Sequence, residues 1–295
     1  MTQSADMILL AGATGVLGGM IARRLLDEKR PLRLLVRHGS KAAELAQLGA
    51  EVAVGDLTRR ETLEAPMRGV THVITTANHF LAPSRAALQA TDVQGNRNLI
   101  DAAKQAGVRQ YVFTSAWGPG YEVVDYFAAK KLTEAYLRNS RVPYTILRPA
   151  AFMETWAMIV GDPILETGTV QIFGDGRNPI NFVAADDVAA VAVRTLDHPD
   201  AMHAVVEIFG PENLSLLEVA AVFERIRGAP ARKRHVPVPV MKVLAALLGP
   251  VRPAFARQVK AGVLMATVPQ AVDPGPSRDR WGVPMTTLEQ WARRR

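Results

Sequence analysis

Apolar residues fall in short, nearly continuous runs along the first half of the chain: MILLAGA (7–13), PLRLLVR (31–37), AEVAVGD (50–56), THVITTA (71–77), QYVFTSA (110–116) and YTILRPA (144–150). Runs this short and uniform predict parallel strands covered on both faces. The intervening stretches, at about 16–28, 40–48, 61–68, 84–106 and 125–139, carry helical spacing. Gly49 and Gly107 stand where two of those helices should stop. Repeated strand–helix alternation predicts right-handed crossovers and a doubly wound parallel α/β sheet.

After Pro149 the pattern changes. AFMETWAMIVGDPILETG has no clean period, TVQIF is a short strand, and GDGRNP is a turn. NFVAADDVAAVAVRTL then returns to a strand–helix unit, followed by the strand AVVEIF (204–209). The remainder is helical with proline-rich joints. SLLE (215–218) and TTLE (286–289) both have the form of a capping box. Asp186 and Asp187, just before an apolar helix, are expected to cap it. The expected organisation is a nucleotide-binding domain over 1–150, to which 179–210 returns. A smaller, mostly helical lobe over 151–178 and 211–295 is expected to bind substrate.

Composition narrows the function. The chain has 295 residues, 48% hydrophobic and 21% charged, and no cysteine, which excludes disulfides and thiolate metal sites. The start, MTQSADMILL, has no secretory pattern, and the apolar stretch VPVPVMKVLAALLGPV is broken by prolines and Lys242. A cytoplasmic protein with no membrane partner is expected. The formal charge of +7 is uneven: from Arg225 to the end there are 14 Lys and Arg against 3 Asp and Glu. That basic third suits a solvated surface, an anionic ligand or an acidic partner. No nucleic-acid motif accompanies it. The six histidines show no metal-ligand spacing, and neither a GxSxG elbow nor a Walker GK[ST] is present.

The most informative stretch is MILLAGATGVLGGMIARRLL, a strand, a turn and a helix in succession. Gly12 would permit the tight turn, Gly15 would let backbone approach a pyrophosphate, and Gly18 would let helix pack on strand. Thr14, Val16 and Leu17 complete the loop and first turn, whose free N–H groups and positive dipole suit phosphates. The second strand chooses between cofactors. An NAD site usually carries an acidic residue at its end, but this one ends LLVRHGSK. Arg37, helped by Lys41, suits an adenosine 2′-phosphate, so NADP(H) is expected over NAD(H). Asp56 and Leu57 would lie near the adenine, with Thr76 and Ala77 lining the cofactor from the fourth strand's end.

The series GATGVLGG, LLVRHGSK, VGDL, GNRNLIDAAKQAGVRQYVFTS, KKLTEAYLRNSRVPYTILRPAAFMETW and INFVAADDVAAVAV resembles an NmrA-like atypical short-chain dehydrogenase/reductase over roughly residues 7 to 200. The resemblance implies a Rossmann fold with a C-terminal substrate lobe. It also implies either an NADPH-dependent reductase of quinones, dyes or natural products, or a regulator that binds NADP(H) without turnover.

Within that frame, SAWGPGYEVVDYFAAKK (115–131) carries the candidate chemistry. Tyr126 and Lys130 are four apart and share a helical face. Theirs is the YxxxK spacing of catalytic family members, which implies a tyrosine proton donor with the lysine on the nicotinamide ribose. Ser115, at a strand's end, would hydrogen-bond the substrate carbonyl, and Tyr121 is a substitute donor. Pro149 and Ala150 (with Ala151) would approach the cofactor ring by backbone. Phe152, Met153 and Trp156 are candidates for an apolar substrate wall. The reading is an NADPH-dependent oxidoreductase acting on a small carbonyl, quinone or conjugated aromatic substrate, as monomer or homodimer. The alternatives are a non-catalytic NADP(H) redox sensor and, against the missing acidic residue, an NAD-dependent sugar epimerase or dehydratase.

Overall fold

The computed structural model describes residues 6–37, 42–120, 123–273, 275 and 280–294. Lys41 and Tyr121 lie outside the described residues. The frame is an α/β fold around a seven-stranded sheet. Its strands are β1 (Met7–Ala11), β2 (Leu32–Val36), β3 (Glu51–Val54), β4 (Val70–Thr75), β5 (Gln110–Thr114), β6 (Tyr144–Pro149) and β10 (Ala204–Ile208). They run in the order β10-β6-β5-β4-β1-β2-β3, and every pairing is parallel. The order reverses at β1, which leaves a crevice at the C-terminal ends of β1 and β4.

Burial on both faces explains the uniform apolar runs. In β1, Ile8 and Leu10 pack into one core with Leu17, Ile21 and Leu25 of α1 (Val16–Asp27), while Leu9 and Ala11 join a second core on the opposite face. That second core includes Leu99 and Ala103 of α4 (Asn96–Ala106) and Leu137 of α5 (Asp125–Asn139). Successive side chains of a strand point to opposite faces, so a strand covered on both sides must be apolar throughout. Gly107 closes α4 in the left-handed conformation, with φ 66°.

Two expected elements differ. No helix spans 61–68: a single tight turn at Arg60–Thr62 is followed by turns, with Leu63 and Met67 buried beneath. Pro66 and Gly69 in this segment oppose continuous helix. The predicted helix over 84–106 is three pieces: α3 (Arg85–Leu88), a π-helical turn at Gln89–Gly95, and α4. That turn, a frequent feature of functional sites, places Asp92 in the interior.

The C-terminal part holds two small sheets as well as helices. One joins β7 (Ala151–Phe152), β9 (Ile180–Val183) and β11 (Glu212–Leu214); the other pairs β8 (Thr169–Phe173) with β12 (Arg232–Val236). β9 therefore sits outside the main sheet, while α7 (Ala185–Arg194) packs on α1. The patternless stretch after Pro149 contains α6 (Met158–Thr167), which Pro163 and Gly161 hide from a periodicity reading. A side chain at Gly161 would sit 2.3 Å from the Phe223 ring of α8 (Leu216–Arg227), so glycine permits that helix contact. α9 (Val238–Leu248) and α10 (Pro253–Thr267) form a hairpin, and α11 (Leu288–Arg293) closes the chain. Among the described residues no helix is long and apolar enough to cross a membrane.

The capping expectations divide. Ser215 and Glu218 form a reciprocal capping box on α8. On α11 the box is shifted by one residue, to Thr287 and Gln290, because Thr286 is used elsewhere. Its amide and hydroxyl both donate to Asp187 (2.6 and 2.9 Å). Neither aspartate caps α7: Asp186 pairs with Arg24, and the Ala185 amide donates to the distant carboxylate of Glu154 (3.0 Å).

Candidate active site

A cleft of about 440 Å³ opens at the crevice where the strand order reverses. One wall is the loop after β1. Gly12 has φ 93°, and a side chain there would lie 2.5 Å from Thr76 Oγ1 and 2.7 Å from the Ala77 amide nitrogen. Gly18 is tighter still, since its Cβ would sit 2.1 Å from the Gly12 carbonyl oxygen. Two glycines thus press the loop against the end of β4 and the first turn of α1 against the loop. No side chain caps the N-terminus of α1, and its first turn holds no acidic residue. That leaves backbone donors and positive dipole for an anion.

Thr14, Gly15, Arg37, Asp56, Leu57, Thr76 and Ala77 join Gly12 in this lining. Val16 is exposed and outside it, Leu17 belongs to the core, and Gly18 supports the loop from beneath. Arg37 is exposed at the end of β2. Facing it, Asp56 feels burial that raises its pKa. Hydrogen bonds from the Thr58 amide and hydroxyl, with the Arg37 and Arg59 charges, outweigh burial and hold it below the usual carboxylate value. Thr58, Asn78, His79 and Thr91 also line the cleft. None carried a sequence signal, because the loops after β3 and β4 and the π-helical turn have no local pattern that marks a wall.

Beyond the cleft lies a denser region built by α5. Tyr126 and Lys130 share one face of this helix, and Lys130 Nζ is 5.5 Å from the Tyr126 ring centre. Tyr126 meets Phe80, in the loop after β4, edge to face at 4.9 Å. Lys130 is 3% exposed and donates to the Thr114 carbonyl at the end of β5 (2.9 Å). Burial pushes its ammonium below the ordinary lysine value, and the charges of Asp92 and Glu134 oppose that shift. Burial pushes the Asp92 carboxyl up, against the Lys130 charge and the His79 amide hydrogen bond. Lys130 and Asp92 thus act on one another only through charge, while the Asp92 carboxylate accepts from the His79 amide at the cleft wall.

Arg257 of α10 clamps this region. It is 2% exposed and forms a paired contact with Asp125 while donating to the carbonyls of Phe80 and Ala82. The lobe thereby fixes the loop that carries Phe80 against Tyr126.

Four expected residues sit differently from their expected roles. The Ser115 hydroxyl donates to Glu134, whose carboxylate also takes two bonds from Arg148 (3.0 and 2.5 Å), so its proton is committed inside the protein. The Pro149 carbonyl accepts from the Trp117 amide, and the Ala150 amide donates to Ile208, which ties both backbones into the sheet end. Met153 is 1% exposed and lies in the lobe core rather than on a wall. Phe152 and Trp156 are half-buried and pack on the two cores.

A parallel sheet of this order, with a glycine loop and an uncapped helix at its crevice, defines a Rossmann-type nucleotide-binding protein. The chain belongs to the NmrA-like family, whose model matches residues 4–261. It is 32% identical over 228 residues to an NAD(P)H azoreductase of Xenophilus azovorans, covering 77% of this chain and 76% of that one. It is 31% identical over 238 residues to the photosystem II assembly factor Ycf39 of a Synechocystis species, covering 80% and 72%. The fold matches a Citrobacter triphenylmethane reductase solved with NADP(H), with TM-score 0.80, 21% identity and coverage of 98% and 99%.

Proposed function

We propose that this protein is an NADPH-dependent oxidoreductase that reduces a small carbonyl, quinone or conjugated aromatic substrate. The observation that carries the reading is the cleft. A glycine loop that brings backbone to the cleft and an uncapped helix suit a pyrophosphate at one end, and Arg37 stands where an NAD site has a carboxylate. Gly12, Thr14 and Gly15 would hold the pyrophosphate, with Arg37 on the 2′-phosphate, Asp56 and Leu57 at the adenine end, and Thr76 and Ala77 along the cofactor. When bound, NADPH supplies a hydride.

The chain's own residues then manage the proton. Tyr126 donates from its phenol to the acceptor oxygen, a step that typically contributes about 10²–10⁴-fold. Lys130 sits one helical turn away on the same face, with Nζ 5.5 Å from the Tyr126 ring centre. Ser115 acts through Glu134, by fixing the end of β5, and not as a carbonyl donor. An acceptor whose reduced form is stable as an anion, such as a quinone, depends less on Tyr126.

The test is oxidation of NADPH and NADH by the purified protein against quinones, aromatic ketones, enones and cationic dyes. Turnover with NADPH preference supports the reading, and the azoreductase relative makes dyes a sensible first choice. A second reading, an NADP(H)-binding assembly or sensor protein without turnover, draws on the Ycf39 relative and on Lys130 donating to backbone. Cofactor binding with no turnover, together with a partner whose binding follows the NADP+/NADPH ratio, would favour it.

A further inference from the structure

The α9–α10 hairpin presents an outward face that no described residue covers. Val240 (47% exposed), Val243 (56%), Leu244 (38%), Leu247 (70%), Val251 (79%) and Phe255 (38%) are all on it. The first four recur at i, i+3, i+4 and i+7, which is one stripe of a helix. The opposite side of α9 is what packs: Met241 and Ala245 are buried, and Met241 reaches Gly262 of α10. Scattered apolar residues on a surface need no explanation, but a continuous stripe does.

The chain segment that carries this stripe has charge of one sign. From Arg225 to Val272 the sequence holds nine Lys and Arg and no Asp or Glu. Arg232, Arg234, Lys242, Arg252 and Lys260 are exposed, and none forms an ion pair among the described residues. Asp175, in the turn beside the β12–α9 joint, shares its cavity with Arg177 and His235. Against a second copy of the chain, a two-fold contact would set this acid-free segment against itself and oppose like charges. The stripe also lacks Trp, Tyr and Arg, the side chains that dominate protein–protein contacts, and is built of Val and Leu.

We propose that this face docks on an anionic lipid bilayer surface. The Val and Leu stripe, with Phe255 at the start of α10, enters the headgroup–acyl boundary, and the unpaired Lys and Arg meet lipid phosphates. α9 has 11 residues, roughly 16 Å at ~1.5 Å per residue, so it lies in the interface and does not cross. The proposal departs from the expectation of no membrane partner. It does not depend on the reductase reading, since none of the stripe residues lines the cleft.

The test is flotation of the full-length protein with vesicles of phosphatidylcholine alone or with added phosphatidylglycerol. The expected result is flotation with the anionic vesicles, weakened by salt, and little with the neutral ones. The double variant L247E/V251E, at two exposed positions, should bind those vesicles at least about tenfold more weakly with unchanged melting temperature and NADPH titration. R252E/K260E should lose the preference for anionic lipid. Absence of flotation with anionic vesicles overturns the proposal, as does equal flotation of L247E/V251E. A lipid-independent dimer that L247E/V251E dissociates, without vesicle binding by the native chain, assigns the face to a second copy and also overturns it.

Discussion

The two ends of the candidate site are built by different means. The glycine-loop end is made of backbone: Gly12, Gly15 and the uncapped start of α1 face an open cleft, with Arg37 exposed at its rim. The α5 end is made of side chains: Lys130, Asp92, Glu134 and Ser115 are all buried and held by partners on other elements, 13 to 19 residues away in the chain. A backbone cradle tolerates change in everything except its shape. A buried polar network tolerates little, because each member removed strands another.

The largest expected effect comes from filling the cradle. Gly18→Val would drive a side chain into the Gly12 carbonyl, 2.1 Å from an ideal Cβ. NADPH binding should be lost, with a markedly lower melting temperature; a fluorescence titration and thermal melt check both. Near-native binding in that variant would show that the loop adapts and that shape is not what the glycines supply.

Breaking the network comes next. Glu134→Gln leaves Arg148 with only its longer, 3.8 Å contact to Glu207 and should destabilise the fold by about 3 kcal/mol in denaturant unfolding. Glu134→Leu with Arg148→Met should recover much of that loss, since both desolvated charges are gone. The pair also predicts acid sensitivity. Burial raises the Glu134 pKa, but hydrogen bonds from Arg148 and Ser115 and the charges of Arg148 and Lys131 leave it below the ordinary glutamate value. Its stabilisation is therefore present above the unfolded-state pKa and is lost as pH falls through the lower folded value. Unfolding measured across that range should show the loss in the native protein and not in the double variant.

Tyr126→Phe should slow reduction of an aromatic ketone about 10²-fold while sparing quinones and leaving NADPH affinity in place. Full activity on every acceptor would remove Tyr126 from the proposed chemistry. The smallest effect belongs to the surface. Arg23 and Glu44 form an exposed pair, and Arg23→Ala should change stability by less than about 0.5 kcal/mol.

The same contrast explains what the sequence revealed. The strand–turn–helix at 7–27 and the helix at 125–139 were legible because their determinants are neighbours in the chain. The fourfold spacing sufficed to put Tyr126 and Lys130 on one face. Asp92, Glu134 and Arg257 gave no signal, because their partners lie on other elements: the two carboxylates are met from 13 to 19 residues away, and Arg257 meets Asp125 across 132 residues. Ser115 was placed correctly at its strand end, but nothing local showed that Glu134 would take its proton. Met153 has the composition of a pocket wall and the burial of a core, and apolarity alone does not separate the two. The stretch over 61–68 has helical spacing, yet Pro66 and Gly69 keep it in turns while Leu63 and Met67 still reach the core.

The measurement that tests the central claim most directly is a paired calorimetric titration of NADPH and NADH into the native protein and Arg37→Ala. The account predicts that the native protein binds NADPH more tightly. It predicts that Arg37→Ala weakens NADPH by about tenfold or more, the scale of one lost charge-assisted contact, and leaves NADH nearly unchanged. Equal losses for both cofactors, or no preference in the native protein, would contradict a 2′-phosphate read by Arg37.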